Sequence, residues 1–300
     1  MMHGMTPVLG TAMWGWTVGR DQAFALADTF HAIGGRWFDT ASNYPIDGNP
    51  DHFGLAEHWL ADWFTSRGAD GQVIVKVGAL LNDGSNACDL SPAGLRARLD
   101  AARDRFGTSL GVFSIHWDER DNLAEIEGSV EVLRQAAAAG YGIGLSGIRH
   151  PHLYAEALGE LGWGCWVQVK HNVLSSHALA HYEALHDRGR FLAYGLNAGG
   201  LKLGTVYQEN NSAYVRDTAA GSDLSRFEAM LQSWKGIQLL PTTFNELALA
   251  YAGLNPRISG VLLGPSRTEQ LTESMNFLGR LDRIREDASV RERLERAFAA

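Results

Sequence analysis

The chain has 300 residues, 45% of them hydrophobic and 20% charged, with a formal net charge of −8, which is the balance of a globular protein with ample material for a buried core. Its charges are scattered, with no lysine or arginine run that would track a phosphate backbone, so nucleic acid is not expected as a partner. Cys88 and Cys165 indicate neither a disulfide framework nor a thiolate zinc site, and no stretch approaches the roughly 18 apolar residues of a membrane span, so a soluble cytoplasmic protein is expected.

Taken in chain order, the first apolar run is Val8 to Met13, followed by helical periodicity over Asp21 to Ile33 and a second run, Arg36 to Thr40. Val73 to Val77 comes third. Ser91-Pro92, an N-cap before a proline at the first helical position, then opens a helix over Pro92 to Arg105. Val112 to His116 precedes the periodic segment Leu123 to Ala138, and three more runs follow: Gly142 to Leu145, Trp166 to Val169 and Phe191 to Tyr194. Asn197 to Asp223 is a long polar stretch, too long for a routine connection, and is expected as a flap. Pro241-Thr242-Thr243 opens the helix Phe244 to Ala252, Val261 to Leu263 is the eighth run, and Ser289 to Phe298 reads as a surface helix outside the core.

Strands alternating with helices require right-handed crossovers and a parallel sheet. Eight such units suit a closed (β/α)8 TIM barrel, expected here as one domain over residues 1–300. An open doubly wound sheet is the alternative, but Gly10, Gly15 and Gly19 lack the glycine spacing of its phosphate turn.

Polar residues at the ends of three strands break the apolar filling of such a barrel. Asp39 ends WFD, Lys76 sits in VIVK and His116 ends VFSIH, and Tyr44 follows in the loop over the same rim. Each alone has a bland reading as a cap, an edge residue or a core group. Together they suit protonation of an oxygen as hydride reaches its carbon: an ammonium beside a phenol favours phenolate, Asp39 holds Lys76, and His116 orients a carbonyl oxygen.

On these residues the sequence resembles the aldo-keto reductases. LGTAMWGW, FDTASNY, VIVKVG, SIHW, GLSG, VQVKHN, AYGLNAGGL and GVLLGPSRTEQL occur in that family's order, across roughly residues 8–278. The resemblance implies an NADP(H)-dependent enzyme reducing an aldehyde or ketone, with Tyr44 as general acid, Lys76 and Asp39 tuning it and His116 positioning the carbonyl. It also implies that Ser146 and Gln168 hold the nicotinamide carboxamide and that Tyr194 stacks on its ring. Gly264, Ser266, Arg267 and Gln270 would grip the adenosine phosphate, with Arg267 favouring NADP(H) over NAD(H). The expected partner is a small carbonyl compound, sugar-like or a natural product, taken by a monomer or small homo-oligomer. The alternative is a cofactor-binding, redox-sensing regulatory subunit on the same barrel.

Several positions depart from the family pattern. YPIDGNPDHFGLAEHW lengthens the loop after Tyr44, Gly147 stands where an asparagine is usual, Lys170-His171 replaces an acidic and aromatic pair, and Ser274 replaces an asparagine near the adenine. His177 and His181 have metal-ligand spacing on a helix but no accompanying ligand, so no metal is expected. Trp14, Trp16 and Trp117 follow strand ends and are candidates either for pocket walls or for rim packing.

Overall fold

The computed structural model describes residues 4–45, 47, 49–79, 88–198 and 225–299. Of the loops singled out above, residues 46 and 48 and most of the expected flap (199–223) lie outside the described residues.

Eight parallel strands close into a barrel in sequence order: β1 (Thr6–Gly10), β2 (Trp37–Ala41), β3 (Gln72–Val77), β4 (Leu110–Asp118), β5 (Gly142–Ile148), β6 (Trp166–Lys170), β7 (Arg190–Tyr194) and β8 (Ile258–Leu263). β8 pairs back onto β1, so the sheet has no edge. This is the (β/α)8 barrel expected from the alternation.

Two apolar regions divide the work of stabilisation. One large cluster lies between the strands and the surrounding helices, and a smaller one gathers Val8, Ile74, Val112, Trp166 and Leu192, with Trp37 and Leu262 packed against it. These seven residues come from seven different strands, which identifies the smaller cluster as the filling of the barrel itself. β5 contributes glycine instead. A Cβ on Gly142 would stand 3.5 Å from the Trp166 indole nitrogen, and that indole packs 4.5 Å from the ring of Trp37.

The expected N-caps form. Ser91 Oγ accepts from the Gly94 amide at 3.1 Å, and Thr243 Oγ1 accepts from Glu246 at 3.2 Å, opening helices Pro92–Phe106 and Phe244–Leu254. β1 starts two residues earlier than its apolar run and stops at Gly10, because Thr11 to Met13 belong to a turn in which the Trp14 amide donates to the Thr11 carbonyl. The C-terminal helix, Ala288–Ala299, is less detached than its sequence suggests. Val290 and Leu294 are buried, and Phe298 lies edge-on to Tyr251 of helix Phe244–Leu254, with ring centroids 5.0 Å apart.

Candidate active site

Side chains alternate along a strand, so residues two apart face the same way. The barrel filling therefore fixes what comes next at the C-terminal end. Trp37 is followed by Asp39, Ile74 by Lys76, Val112 by Ser114 and His116, Trp166 by Gln168, and Leu192 by Tyr194. The polar residues at the strand ends thus form further layers above an apolar plug.

Asp39 and Lys76 are each 1% exposed and His116 3%. Lys76 Nζ donates to Asp39 Oδ2 in a short contact. The other carboxylate oxygen accepts from Gln168 Nε2 at 2.5 Å, and Gln168 Oε1 accepts from Ser146 Oγ at 3.4 Å. Tyr44 reaches this group through a turn closing β2, where its amide donates to the Ala41 carbonyl at 3.0 Å. Its ring centroid lies 4.8 Å from Lys76 Nζ and 6.0 Å from the His116 ring, which stands nearly perpendicular to it. All four expected catalytic positions meet in one place.

Electrostatics correct one expectation. Burial pushes the Tyr44 phenol above its ordinary value, with Lys76 pulling down against it and Asp39 adding to the rise, so the ammonium does not win and the phenol keeps its proton. For Lys76 burial works the other way, but the Asp39 carboxylate, with Tyr44, outweighs it and holds the ammonium above the usual lysine range. Burial, assisted by the Lys76 charge, sets His116 well below the ordinary histidine value. The imidazole is neutral, and its Nδ1 has no hydrogen-bond partner among the described residues.

The residues assigned by resemblance to the cofactor fall into two groups. Ser146 and Gln168 are register partners on β5 and β6, and Tyr194 ends β7 opposite Lys170, with its phenol raised by burial and by neighbouring Tyr44. Gly264, Ser266, Arg267 and Gln270 lie beyond β8, at the start of helix Thr268–Leu278. There Ser266 N, Ser266 Oγ and Arg267 N converge on Gln270 Oε1 at 3.0, 3.1 and 3.2 Å. Donors that gather on one oxygen are the chemistry a phosphate requires, so this set fits a nucleotide phosphate.

Ser274 is turned inward, accepting from Asn245 Nδ2 at 2.9 Å and donating to the Gln270 carbonyl at 2.8 Å. His171, one residue out of phase with Gln168 and Lys170, points away from the barrel interior and stacks on Tyr251 at 4.8 Å. His181 Nε2 contacts the Ile148 carbonyl at 3.1 Å, and no group of three or more metal-binding side chains occurs among the described residues.

Two features were not read from the sequence. One is the bond from Gln168 to Asp39, which crosses the barrel. The other is a buried cluster ending β4, in which Asp118 accepts from Arg120 and, at 2.6 Å, from Tyr154 Oη. Burial alone would raise the Asp118 carboxyl, but its bonds to Arg120 and Tyr154 overrule that and hold it below the ordinary carboxylate value.

The aldo/keto reductase family model matches residues 8–286. The chain belongs to the aldo/keto reductase family. It is an oxidoreductase of that nicotinamide-using family, and the site above is its strand-end cluster. Among curated proteins, the Saccharomyces cerevisiae protein named "Putative aryl-alcohol dehydrogenase AAD6" is 24% identical over 156 residues, which is 48% of this chain and 69% of that protein. Among solved structures, the glycerol dehydrogenase AKR11B4 from Gluconobacter oxydans superposes with a TM-score of 0.73 at 17% identity, covering 98% of this chain and 92% of the other. The holo form of aldo-keto reductase AKR11C1 from Bacillus halodurans gives 0.69 at 18% identity, covering 99% and 93%. At these identities the superpositions establish the shared barrel.

Proposed function

We propose that this aldo/keto reductase uses NADP(H) to reduce an aldehyde or ketone, or to oxidise the matching alcohol, with Tyr44 as general acid. The observation that carries this reading is the convergence of Tyr44, Lys76, Asp39 and His116 on one buried point. The cofactor supplies the hydride. The neutral His116 imidazole donates a hydrogen bond to the carbonyl oxygen and orients it. Tyr44, kept protonated by burial, gives its proton to that oxygen as negative charge develops there. Lys76 then stabilises the phenolate left behind, and Asp39, fixed by Gln168, keeps the ammonium in place.

Ser146 and Gln168 would hold the carboxamide of the cofactor and Tyr194 its ring. Ser266, Arg267 and Gln270 beside Gly264 would take the adenosine phosphate, with the Arg267 charge favouring NADP(H). The carbonyl compound is a small molecule. Names among the similar proteins point to both an aryl alcohol and a polyol as the alcohol form.

Titration with NADPH and NADH by tryptophan fluorescence, followed by a carbonyl screen monitored through loss of reduced-nicotinamide absorbance, tests this reading. We expect NADPH to bind the tighter and Tyr44→Phe to cut turnover by about 10²–10⁴-fold while leaving the cofactor Kd within about twofold. Retained turnover would remove Tyr44 from its role. Binding of neither cofactor would overturn the reading, and tight binding without turnover of any carbonyl would favour the redox-sensing regulatory subunit.

A further inference from the structure

β5 outruns its pairing with β6. On the β4 side its register continues to Ile148, opposite Asp118, but on the β6 side the last paired residues are Ser146 and Gln168. In a parallel ladder the amide and carbonyl of alternate residues turn to the same side, so the rung after Ser146 on the β6 side belongs to Ile148, and β6 does not pair with it. Ile148 is 3% exposed, and a bare amide there would be unfavourable.

Two consecutive side chains complete the rung instead. The Ile148 amide donates to Tyr182 Oη at 2.7 Å, and the Ile148 carbonyl accepts from His181 Nε2 at 3.1 Å. Both residues close the short helix His177–His181, which follows β6 through a turn where Asn172 Oδ1 accepts from the amides of Leu174 and Ser175 at 3.0 and 2.9 Å. Tyr182 is buried, and burial drives its phenol well above the ordinary tyrosine value against the pull of the Ile148 amide, with nearby Tyr194 adding to the rise. The hydroxyl therefore stays neutral. From Ile148 the linkage runs two residues back to Ser146, then through Gln168 to Asp39, the carboxylate that holds Lys76.

We propose that Tyr182, with His181, is a positioning residue for the cofactor: it fixes the end of β5 so that Ser146 meets the nicotinamide carboxamide. The inference rests on the reading of Ser146 as a carboxamide contact. Its influence is confined to the nicotinamide end. The phosphate donors at Ser266 and Arg267 belong to the turn after β8, and among the described residues they share no hydrogen bond with Tyr182.

The test measures Kd for NADPH and for adenosine 2′,5′-bisphosphate, which carries the adenosine end without the nicotinamide, on the wild type, Tyr182→Phe, Ser146→Ala and the double variant. Each single change is expected to raise the NADPH Kd about tenfold and to leave the bisphosphate Kd within about twofold. A change that only loosened the fold would weaken both ligands. Because Tyr182 acts through Ser146, the double variant should lose no more than Ser146→Ala alone. Additive losses, or equal losses of Tyr182→Phe on the two ligands, would overturn the inference. So would a Tyr182→Phe protein that binds NADPH as the wild type does while Ser146→Ala weakens it, an outcome that leaves the carboxamide reading standing. An unchanged NADPH Kd in Ser146→Ala defeats that reading and the inference with it. Should Tyr182→Phe not fold, His181→Ala, which opens the carbonyl side of the same rung, decides by the same split between NADPH and the bisphosphate.

Discussion

Lys76 sits between a carboxylate and a phenol with almost no solvent contact, and that placement gives it two separable duties. It pairs with Asp39, and under the proposed function it would stabilise a phenolate on Tyr44. Lys76→Met should cost about 3–5 kcal/mol of stability by leaving a buried charge unpaired. Adding Asp39→Asn should restore most of that loss in thermal melts while turnover stays abolished; recovery of turnover would show that Lys76 serves packing alone. The pH dependence has a definite sign. A lysine whose folded pKa lies above its unfolded value of 10.5 contributes stability that is fully present below pH 10.5 and is lost as pH rises through the folded value. Lys76→Met should therefore flatten the alkaline limb of the stability curve. That Asp39, Lys76 and His116 would gather at one rim could be read in advance because polar groups are out of place at the ends of apolar strands. The Gln168 bond to Asp39 could not, since strand periodicity tells which way a side chain points but not what it meets across the barrel.

At the level of elements, the alternation of strands and helices was plain, but helix Leu55–Arg67 was hidden. Its buried face, Ala56, Leu60, Trp63 and Phe64, is an apolar stripe, but Glu57 is buried within it against Arg105 and the Trp63 indole donates to Asp28 at 2.8 Å, so polar groups blur the pattern in the sequence. His171, just past the end of β6, is the counterpart. Neither of its ring nitrogens has a hydrogen-bond partner among the described residues, and burial lowers its pKa to about 4. Between pH 6.5 and 4 the unfolded chain binds a proton here that the folded chain refuses, so stability falls as pH drops through that window, and neutral His116 adds to the same trend. His171→Phe keeps the stack on Tyr251 and removes the unpaired nitrogens. It should raise stability by about 1 kcal/mol at neutral pH and shallow the acid limb, both measurable by denaturant melts across pH. An unchanged acid limb would show that other groups set it.

Across the whole molecule, the barrel is closed on itself and jacketed by helices, with the C-terminal helix Ala288–Ala299 anchored to Phe244–Leu254. Among the described residues no helix is long and apolar enough to cross a membrane. Deleting residues 288–299 would expose the partners of Val290, Leu294 and Phe298, at a cost on the order of 3–5 kcal/mol or about 5–10 °C in Tm. The kcat of the truncated protein should match the full chain at temperatures well below its melt, because the helix buttresses another helix rather than a strand end. A fall in kcat there would mean that the helix supports the mouth of the barrel.

The apolar plug below the polar layers has a consequence for how this protein can change. Val8, Ile74, Val112, Trp166 and Leu192 close the barrel without help from Tyr44, His116, Trp117 or Gly147, so the foundation and the workshop above it answer to different demands. Selection, natural or in the laboratory, is free to retool the upper layer for another carbonyl while the folded frame is inherited intact.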